Sequence, residues 1–288
     1  MAEPARLVET YRSAVAAWEC DVMGHLTIAL YFDRFADAAA SLIERLAPGL
    51  PPGAAWRSNR LLVRYKRELR AGDGIAIRSG VIGEDGEAVV IGHELVATEE
   101  DEVATLVEHR LVPRALPYGG GGEVRRRLAA AAAPWVSPGF PPLADPAQAE
   151  RMIPTGANRV KAAEVDERGE LALSGYVHRF AYAGLHVCHA FGMTAGYMRE
   201  QRRGLSTFET RLHLLAPPPG AGEGVELRSG LVGVGNSSLR MVHEMRGTQS
   251  GERLALFHQS AVHLDMEARR STPLPPALRE KAQALVLA

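Results

Sequence analysis

A carboxylate and an imidazole lie close together near the start of the sequence. Asp21 stands four residues before His25, within residues 18–38, which read WECDVMGHLTIALYFDRFADA. Carboxylates and imidazoles are the side chains that most often transfer protons in hydrolysis and acyl transfer. The spacing makes this segment the first candidate for a catalytic site.

The residues that follow predict the helix that would position this pair. From Ile28, apolar residues recur at spacings of three and four, which is typical of a helix with one buried face, here ending at about Leu46. Gly24 lets the backbone turn, and Thr27 is the expected N-cap. The free N–H groups of a helix start favour developing negative charge, so the segment holds the parts that acyl transfer or hydrolysis requires.

Composition narrows the class of protein. The 288 residues suffice for one large domain or two ordinary ones, and 46% are hydrophobic, enough for a packed core. A net charge of −1 argues against a nucleic-acid partner. No signal-peptide pattern and no apolar run of ~18 residues is present, so we expect a cytoplasmic protein without a membrane partner. Cys20 and Cys188 form neither a disulfide framework nor a zinc cluster.

The rest of the first half reads as strands. A first strand is predicted over residues 7–18, ahead of the helix, and four more over residues 60–69, 75–82, 88–97 and 104–113. Short turns with glycine or acidic residues separate the last three. Residues 116–150, rich in Gly, Ala and Pro, interrupt this pattern and predict a linker with one short helix.

The first half then recurs. Residues 71–83 read AGDGIAIRSGVIG and residues 221–233 read AGEGVELRSGLVG, with seven identities in thirteen positions. His93 and His243, each followed by a glutamate, show the same offset of 150 residues. The chain is therefore predicted to hold two copies of one fold, a first domain over residues 1–115 and a second over 151–268, followed by a tail over 269–288.

The second copy of the Asp21 segment is predicted within residues 178–199, which read HRFAYAGLHVCHAFGMTAGYMR. Matching His186 to His25 places Tyr182 where Asp21 stands. The second copy would then keep the histidine and lose the carboxylate, and its activity is left open. No acidic or cysteine partner completes a ligand set around His186 and His189, so no metal is expected.

These motifs resemble the 4-hydroxybenzoyl-CoA thioesterase family. Residues 18–26, Trp-x-x-Asp-x-Met-Gly-His-Leu, are similar to its signature of an aromatic residue, an aspartate and a Gly-His or Gly-Ile turn. Leu69-x-x-Gly-Asp-Gly-Ile is similar to the family's turn between the second and third strands. The helix continues the resemblance with Tyr31, Phe32, Phe35 and Ala38.

The resemblance implies an α+β fold of two tandem hotdog domains, each an antiparallel sheet wrapped around a long central helix, packed as a pseudo-dimer. It implies hydrolysis of an acyl thioester, delivered by coenzyme A or an acyl-carrier protein, at a site between the two hotdogs where the central helix begins. Coenzyme A would enter as part of the substrate, so no separate cofactor is expected.

The resemblance also implies residue roles. Asp21 would attack the thioester carbonyl or activate water, and a backbone N–H near Ile28 would hold the oxyanion, with Gly24 and His25 completing the catalytic set. One departure is Thr27-Ile28, where many relatives have Asn-Asn, which suggests an altered acyl pocket. The expected substrate-binding residues are Tyr31, Phe35, Arg60, Arg64 and His186.

Several alternatives stay open. A hotdog hydratase or dehydratase would also act on an acyl thioester, although such enzymes usually carry these residues in a proline-containing loop. A non-catalytic binding protein is compatible with a second copy that lacks the carboxylate. Asp21 and His25 could merely hold the turn, and Cys20 could be a nucleophile paired with His25. Arg60 and Arg64 could belong to a solvated strand face, and a homodimer is also open.

Overall fold

A computed structural model describes residues 6–48, 56–114, 126–128, 130–141, 145–146 and 148–287. The chain divides into two compact units between Phe140 and Pro141, a point inside the predicted linker. Of that linker, residues 126–128 are helical, and Leu128 is buried against the core of the first unit. None of the described helices is long and apolar enough to span a membrane.

The first unit is a five-stranded antiparallel sheet with one long helix. The sheet order is β1-β3-β4-β5-β2. The elements, in chain order, are β1 (Val8–Ala14), α1 (Ile28–Leu46), β2 (Trp56–Tyr65), β3 (Gly74–Asp85), β4 (Ala88–Ala97) and β5 (Glu102–Pro113).

Helix α1 forms because its apolar residues recur at helical spacing and are covered by the sheet. Phe32, Phe35 and Ala38 on this stripe are fully buried. Farther along the helix, Leu42 packs in one core cluster with Val81 of β3 and with residues of β4 and β5. In β2 and β5 buried residues alternate with more exposed ones, as expected where one sheet face packs on α1, whereas β3 and β4 are buried over most of their length.

The second unit repeats this arrangement. Its sheet order is β7-β10-β9-β8-β6, also antiparallel. The elements are β6 (Ile153–Arg159), α2 (Leu173–Ala190), α3 (Ala195–Glu200), β7 (Arg203–Leu214), β8 (Gly224–Val234), β9 (Ser238–Gly247), β10 (Arg253–Asp265), β11 (Arg270–Ser271) and α4 (Pro276–Ala284).

The C-terminal residues differ from the expected tail. Strand β11 pairs with β10, and Leu274 and Ala282 are buried in the same core cluster as Val187 and Phe191. Apolar residues at 274, 278, 282, 285 and 286 supply the face that packs there. Residues 270–287 are therefore part of the second unit.

Candidate active site

A small hairpin between β1 and α1 carries the predicted catalytic residues. Cys20 and Leu26 form its bridge, and the Asp21 N–H donates to the His25 carbonyl oxygen at 2.8 Å. Gly24 makes the tight turn with a φ of +75°, a backbone conformation that favours glycine, and its N–H donates to the Asp21 carbonyl oxygen at 2.9 Å. The hairpin ends directly before the start of α1.

The Asp21 carboxylate has one oxygen engaged by the hairpin itself. Its Oδ1 accepts the N–H groups of Met23 at 2.8 Å and His25 at 3.1 Å. This is the side-chain-to-backbone pattern by which aspartate stabilises turns. Within the described residues, Oδ2 accepts no hydrogen bond, and the residue is exposed. One carboxylate oxygen thus builds the turn while the other is available to a substrate or a water.

His25 is held by a carboxylate that the sequence analysis did not identify. Its ring Nε2 lies 3.0 Å from Oε2 of Glu68, and only 9% of His25 is exposed. The contact arises because the Leu26 N–H donates to the Leu69 carbonyl oxygen and His25 pairs with Arg70. A carboxylate on one ring nitrogen fixes the orientation of an imidazole, as in acid–base catalytic sites.

The start of α1 presents free amide groups. Thr27 is the N-cap, as predicted, but its side chain makes no capping hydrogen bond. Within the described part of the chain, the N–H groups of Ile28 and Ala29 donate to no acceptor, whereas that of Leu30 donates to the Thr27 carbonyl oxygen. Such amides, aligned with the helix dipole, are suited to an oxyanion.

Tyr31 and Phe35 lie on the buried side of α1. The Tyr31 ring meets the Tyr65 ring edge-on with centroids 5.1 Å apart, and Phe35 packs 5.5 Å from the His93 ring. Burial raises the pKa of Tyr31 well above its usual value, so its hydroxyl stays protonated. Both residues are buried in the core of the first unit, and a contact with substrate remains a prediction.

The two arginines predicted to bind substrate, Arg60 and Arg64, have partners on the sheet and in the segment after it. Arg60 lies 3.6 Å from the Asp85 carboxylate, and the Arg64 guanidinium lies 5.5 Å above the Phe140 ring. Arg64 also lines a groove of about 540 Å³ with Lys66 and with residues 134–138. No residue of the hairpin lines this groove, and a contact of Arg60 or Arg64 with substrate remains a prediction.

The thiol of Cys20 faces a nearby backbone carbonyl group. Its Sγ lies 3.7 Å from the Ala16 carbonyl oxygen.

Burial raises the pKa of the Cys188 thiol to about 12, which keeps it protonated. Among the described residues, no group of three or more His, Cys, Asp or Glu side chains could hold a metal ion.

The predicted alignment of His186 and Tyr182 with the first copy is wrong. The second hairpin lies before α2, where Val165 and Leu171 form the bridge and the Asp166 N–H donates to the Glu170 carbonyl oxygen at 2.8 Å. His186 and Tyr182 are instead exposed residues on α2. The segment around His186 therefore resembles the Asp21 segment in sequence only, because it lies within a helix.

With the corrected alignment, the second unit keeps the carboxylate that it was predicted to lose. Asp166 keeps the carboxylate, and its Oδ1 accepts the N–H groups of Arg168 and Glu170 at 2.9 and 3.0 Å. Glu170 stands where the first hairpin has His25. The Leu171 N–H donates to the Pro219 carbonyl oxygen, as Leu26 does to Leu69, so Pro218 takes the place of Glu68. The second hairpin therefore has the aspartate but not the His–Glu pair.

Comparison with known proteins agrees with this architecture. The sequence profile of the thioesterase-like superfamily matches residues 15–116 and 160–282, which is most of the chain. The chain therefore belongs to that superfamily, which confirms the class of enzyme, a thioester hydrolase, and the tandem hotdog fold predicted from the sequence. The comparison with curated protein sequences finds no match.

Two solved structures illustrate the shared fold. An acyl-ACP thioesterase from Bacteroides thetaiotaomicron is 11% identical with a TM-score of 0.63, and the match covers 88% of this chain and 96% of that one. A 12:0-ACP thioesterase from Umbellularia californica is 12% identical with a TM-score of 0.64, covering 88% and 93%. At such identities the similarity shows the fold alone.

Proposed function

We propose that the first unit hydrolyses an acyl thioester at the junction of its hairpin with α1. The observation that carries this proposal is the convergence of three parts on residues 21–29 and Glu68. These are an imidazole held by a second carboxylate and, as far as the described residues go, a carboxylate oxygen without a hydrogen bond and two helix-start amides without an acceptor. These three parts suffice to hydrolyse a thioester, because its carbonyl is less stabilised by resonance than that of an ester.

In the proposed reaction, Asp21 is the general base. Its Oδ2 accepts a proton as a water oxygen attacks the thioester carbonyl carbon. The N–H groups of Ile28 and Ala29 hold the resulting oxyanion, and the bond from carbon to sulfur then breaks. The proton passes to the departing thiolate, and the products are a carboxylic acid and a thiol. Direct attack by Asp21 would instead give an acyl anhydride, which water must hydrolyse.

His25 has a supporting role in this scheme. Its backbone N–H helps to hold Asp21 Oδ1, and its ring is anchored by Glu68. The imidazole therefore keeps the hairpin in place, and we propose that it also passes the proton to the leaving thiolate. Gly24 contributes the turn that makes this approach possible.

The substrate that we propose is an acyl group on coenzyme A or on an acyl-carrier protein. The support is the superfamily assignment together with the activity of the two acyl-ACP thioesterases whose fold is similar. Either carrier presents its acyl group on a phosphopantetheine thiol, so the same reacting bond is cleaved. No separate cofactor takes part in the proposed reaction.

The test is release of free thiol from a panel of acyl-CoAs with short, long, branched and aromatic acyl groups, and from the matching acyl-carrier proteins. We expect hydrolysis of at least one member by the folded wild-type protein. If no thiol appears from any member but an enoyl thioester is hydrated, a hydratase replaces the hydrolase. If substrates bind without any turnover, the protein is a binding protein and the proposal fails.

A further inference from the structure

A buried ion pair joins the hairpin to the helix in the first unit. Arg34 is only 6% exposed, and its Nη2 donates to Oε1 of Glu19 at 2.7 Å. Its Nη1 donates to the Leu30 carbonyl oxygen at 3.0 Å, in the first turn of α1. One guanidinium therefore bonds both the residue just before the hairpin and the start of the helix. Its planar fork of donors permits two such directed bonds at once.

Glu19 in turn holds both ends of the hairpin. Its Oε2 accepts the Ala16 N–H at 2.7 Å, on the side toward β1. Its carbonyl oxygen accepts the Thr27 N–H at 2.9 Å, at the residue that caps α1. The segment between Glu19 and Thr27 is thus a closed loop whose base is fixed to Arg34.

We propose that Arg34 is a positioning residue for the hydrolysis. This inference rests on the proposed function, because it concerns the spacing of the proposed reacting groups. Asp21 lies on the hairpin and the amides of Ile28 and Ala29 lie on the helix, so the two parts belong to different elements. Arg34 sets the distance between the attacking water and the oxyanion donors without touching the substrate. Such spacing matters because small misplacements of reacting groups cost large factors in rate.

The second unit contains the same ion pair without the complete site. Arg179 donates to Glu164 Oε2 at 2.8 Å and to the Gly175 carbonyl oxygen at 2.8 Å. Glu164 likewise accepts the Lys161 N–H at 2.8 Å, and its carbonyl oxygen accepts the Ala172 N–H at 2.9 Å. Arg179 is therefore a matched control with the same fold role beside a hairpin that lacks the histidine.

The experiment compares Arg34→Met with Arg179→Met in the full chain, using the thioester that the wild type hydrolyses fastest. Both variants should melt at lower temperature, because each breaks a buried ion pair. We expect kcat to fall about 10- to 100-fold in R34M, with KM changed less, and to stay within about twofold in R179M. Millimolar guanidinium should restore part of the R34M rate at constant KM.

The lysine variants keep the test decisive if R34M does not fold. Arg34→Lys retains the charge but lacks the planar fork of donors that bonds Glu19 and the Leu30 carbonyl oxygen, so we expect a folded protein with a reduced kcat. We expect Arg179→Lys to keep a normal kcat. Equal kcat values for R34K and R179K would overturn the positioning role while leaving the hydrolase proposal intact. An inactive wild type would instead defeat the proposed function itself.

Discussion

The two hairpins have nearly the same backbone and different side-chain chemistry. In each, an aspartate Oδ1 accepts two N–H groups, from Met23 and His25 in the first and from Arg168 and Glu170 in the second. The turn glycines have φ values of +75° and +77°. The first hairpin adds an imidazole paired with Glu68, and the second has a carboxylate at the position of that imidazole.

This difference separates what folding requires from what chemistry requires. Features found in both units, such as the aspartate turn and the Arg–Glu pair, build a hairpin before a helix in either unit, and in the first unit they also hold the proposed reacting groups. The His25–Glu68 pair occurs in the first unit alone, so the fold does not demand it. The internal repeat thus serves as a control, and substitutions made in matched pairs can break or sharpen the comparison.

A large difference is expected between Glu68→Gln and its control in the second unit, Glu170→Gln, which changes the carboxylate that stands at the position of His25. Loss of the charged partner should leave the His25 ring poorly oriented, so kcat should fall about 100-fold in E68Q. In E170Q we expect a rate within about twofold of wild type. The rate of thiol release at saturating substrate measures both. Equal losses in the two variants would show that the pair is not what distinguishes the units.

A second comparison concerns a chain of buried polar side chains across each sheet. In the first unit, hydrogen bonds of 2.7 to 3.3 Å link five buried or half-buried side chains across the five strands. In the second unit the corresponding chain is interrupted. Within the described residues, His243 Nε2 and Gln259 Oε1 have no hydrogen-bond partner. The five linked residues of the first unit are Thr10, Ser79, His93, His109 and Ser58.

Because His93 and His109 are buried, the stability of the folded state depends on pH in the acid range. Burial lowers the pKa of His93 well below its usual value, with the neighbouring His109 adding to the effect, and lowers the pKa of His109 to about 3. An unfolded histidine titrates near pH 6.5. Since the folded state does not take up the proton until a lower pH, its stability is complete above about pH 6.5 and falls as the pH decreases toward 3.

Two single substitutions, at His109 and at Gln259, test this dependence of stability on pH; each introduces the residue that the other unit carries at that position. We expect His109→Gln to reduce the pH dependence of the unfolding free energy by about 1.4 kcal/mol per pH unit between about pH 6 and 4. Gln259→His should increase it by a similar amount where the new ring is equally buried. Urea unfolding at a series of pH values gives both slopes. An unchanged slope in H109Q would mean that this ring is protonated in the folded protein.

Much of the fold could be predicted because it depends on local periodicity. The predicted strand at 88–97 has the observed bounds of β4, and α1 ends at Leu46 as expected. The repeat of residues 71–83 at 221–233 was visible because β3 and β8 are bounded by the same glycine turns. Asp21 and His25 were found because they lie on one short turn.

The remainder depends on contacts that sequence spacing does not show. The two units are offset by 145 residues at the hairpins, from Asp21 to Asp166, but by 150 at the strands, from Ser79 to Ser229. Five additional residues therefore lie between hairpin and strands in the second unit, and His186 was matched to the wrong element. Glu68 was missed because only the long-range pairing after β2 brings it to His25.

The central claim is that hydrolysis occurs at the first hairpin, with Asp21 as its base. The most direct test is to compare Asp21→Asn with Asp166→Asn in the same thiol-release assay. Asparagine keeps an oxygen that can accept the turn N–H groups, so both variants should fold and melt close to wild type. We expect D21N to lose at least about 100-fold in kcat and D166N to stay near wild type. Full activity in D21N, or an equal loss in D166N, would contradict the claim.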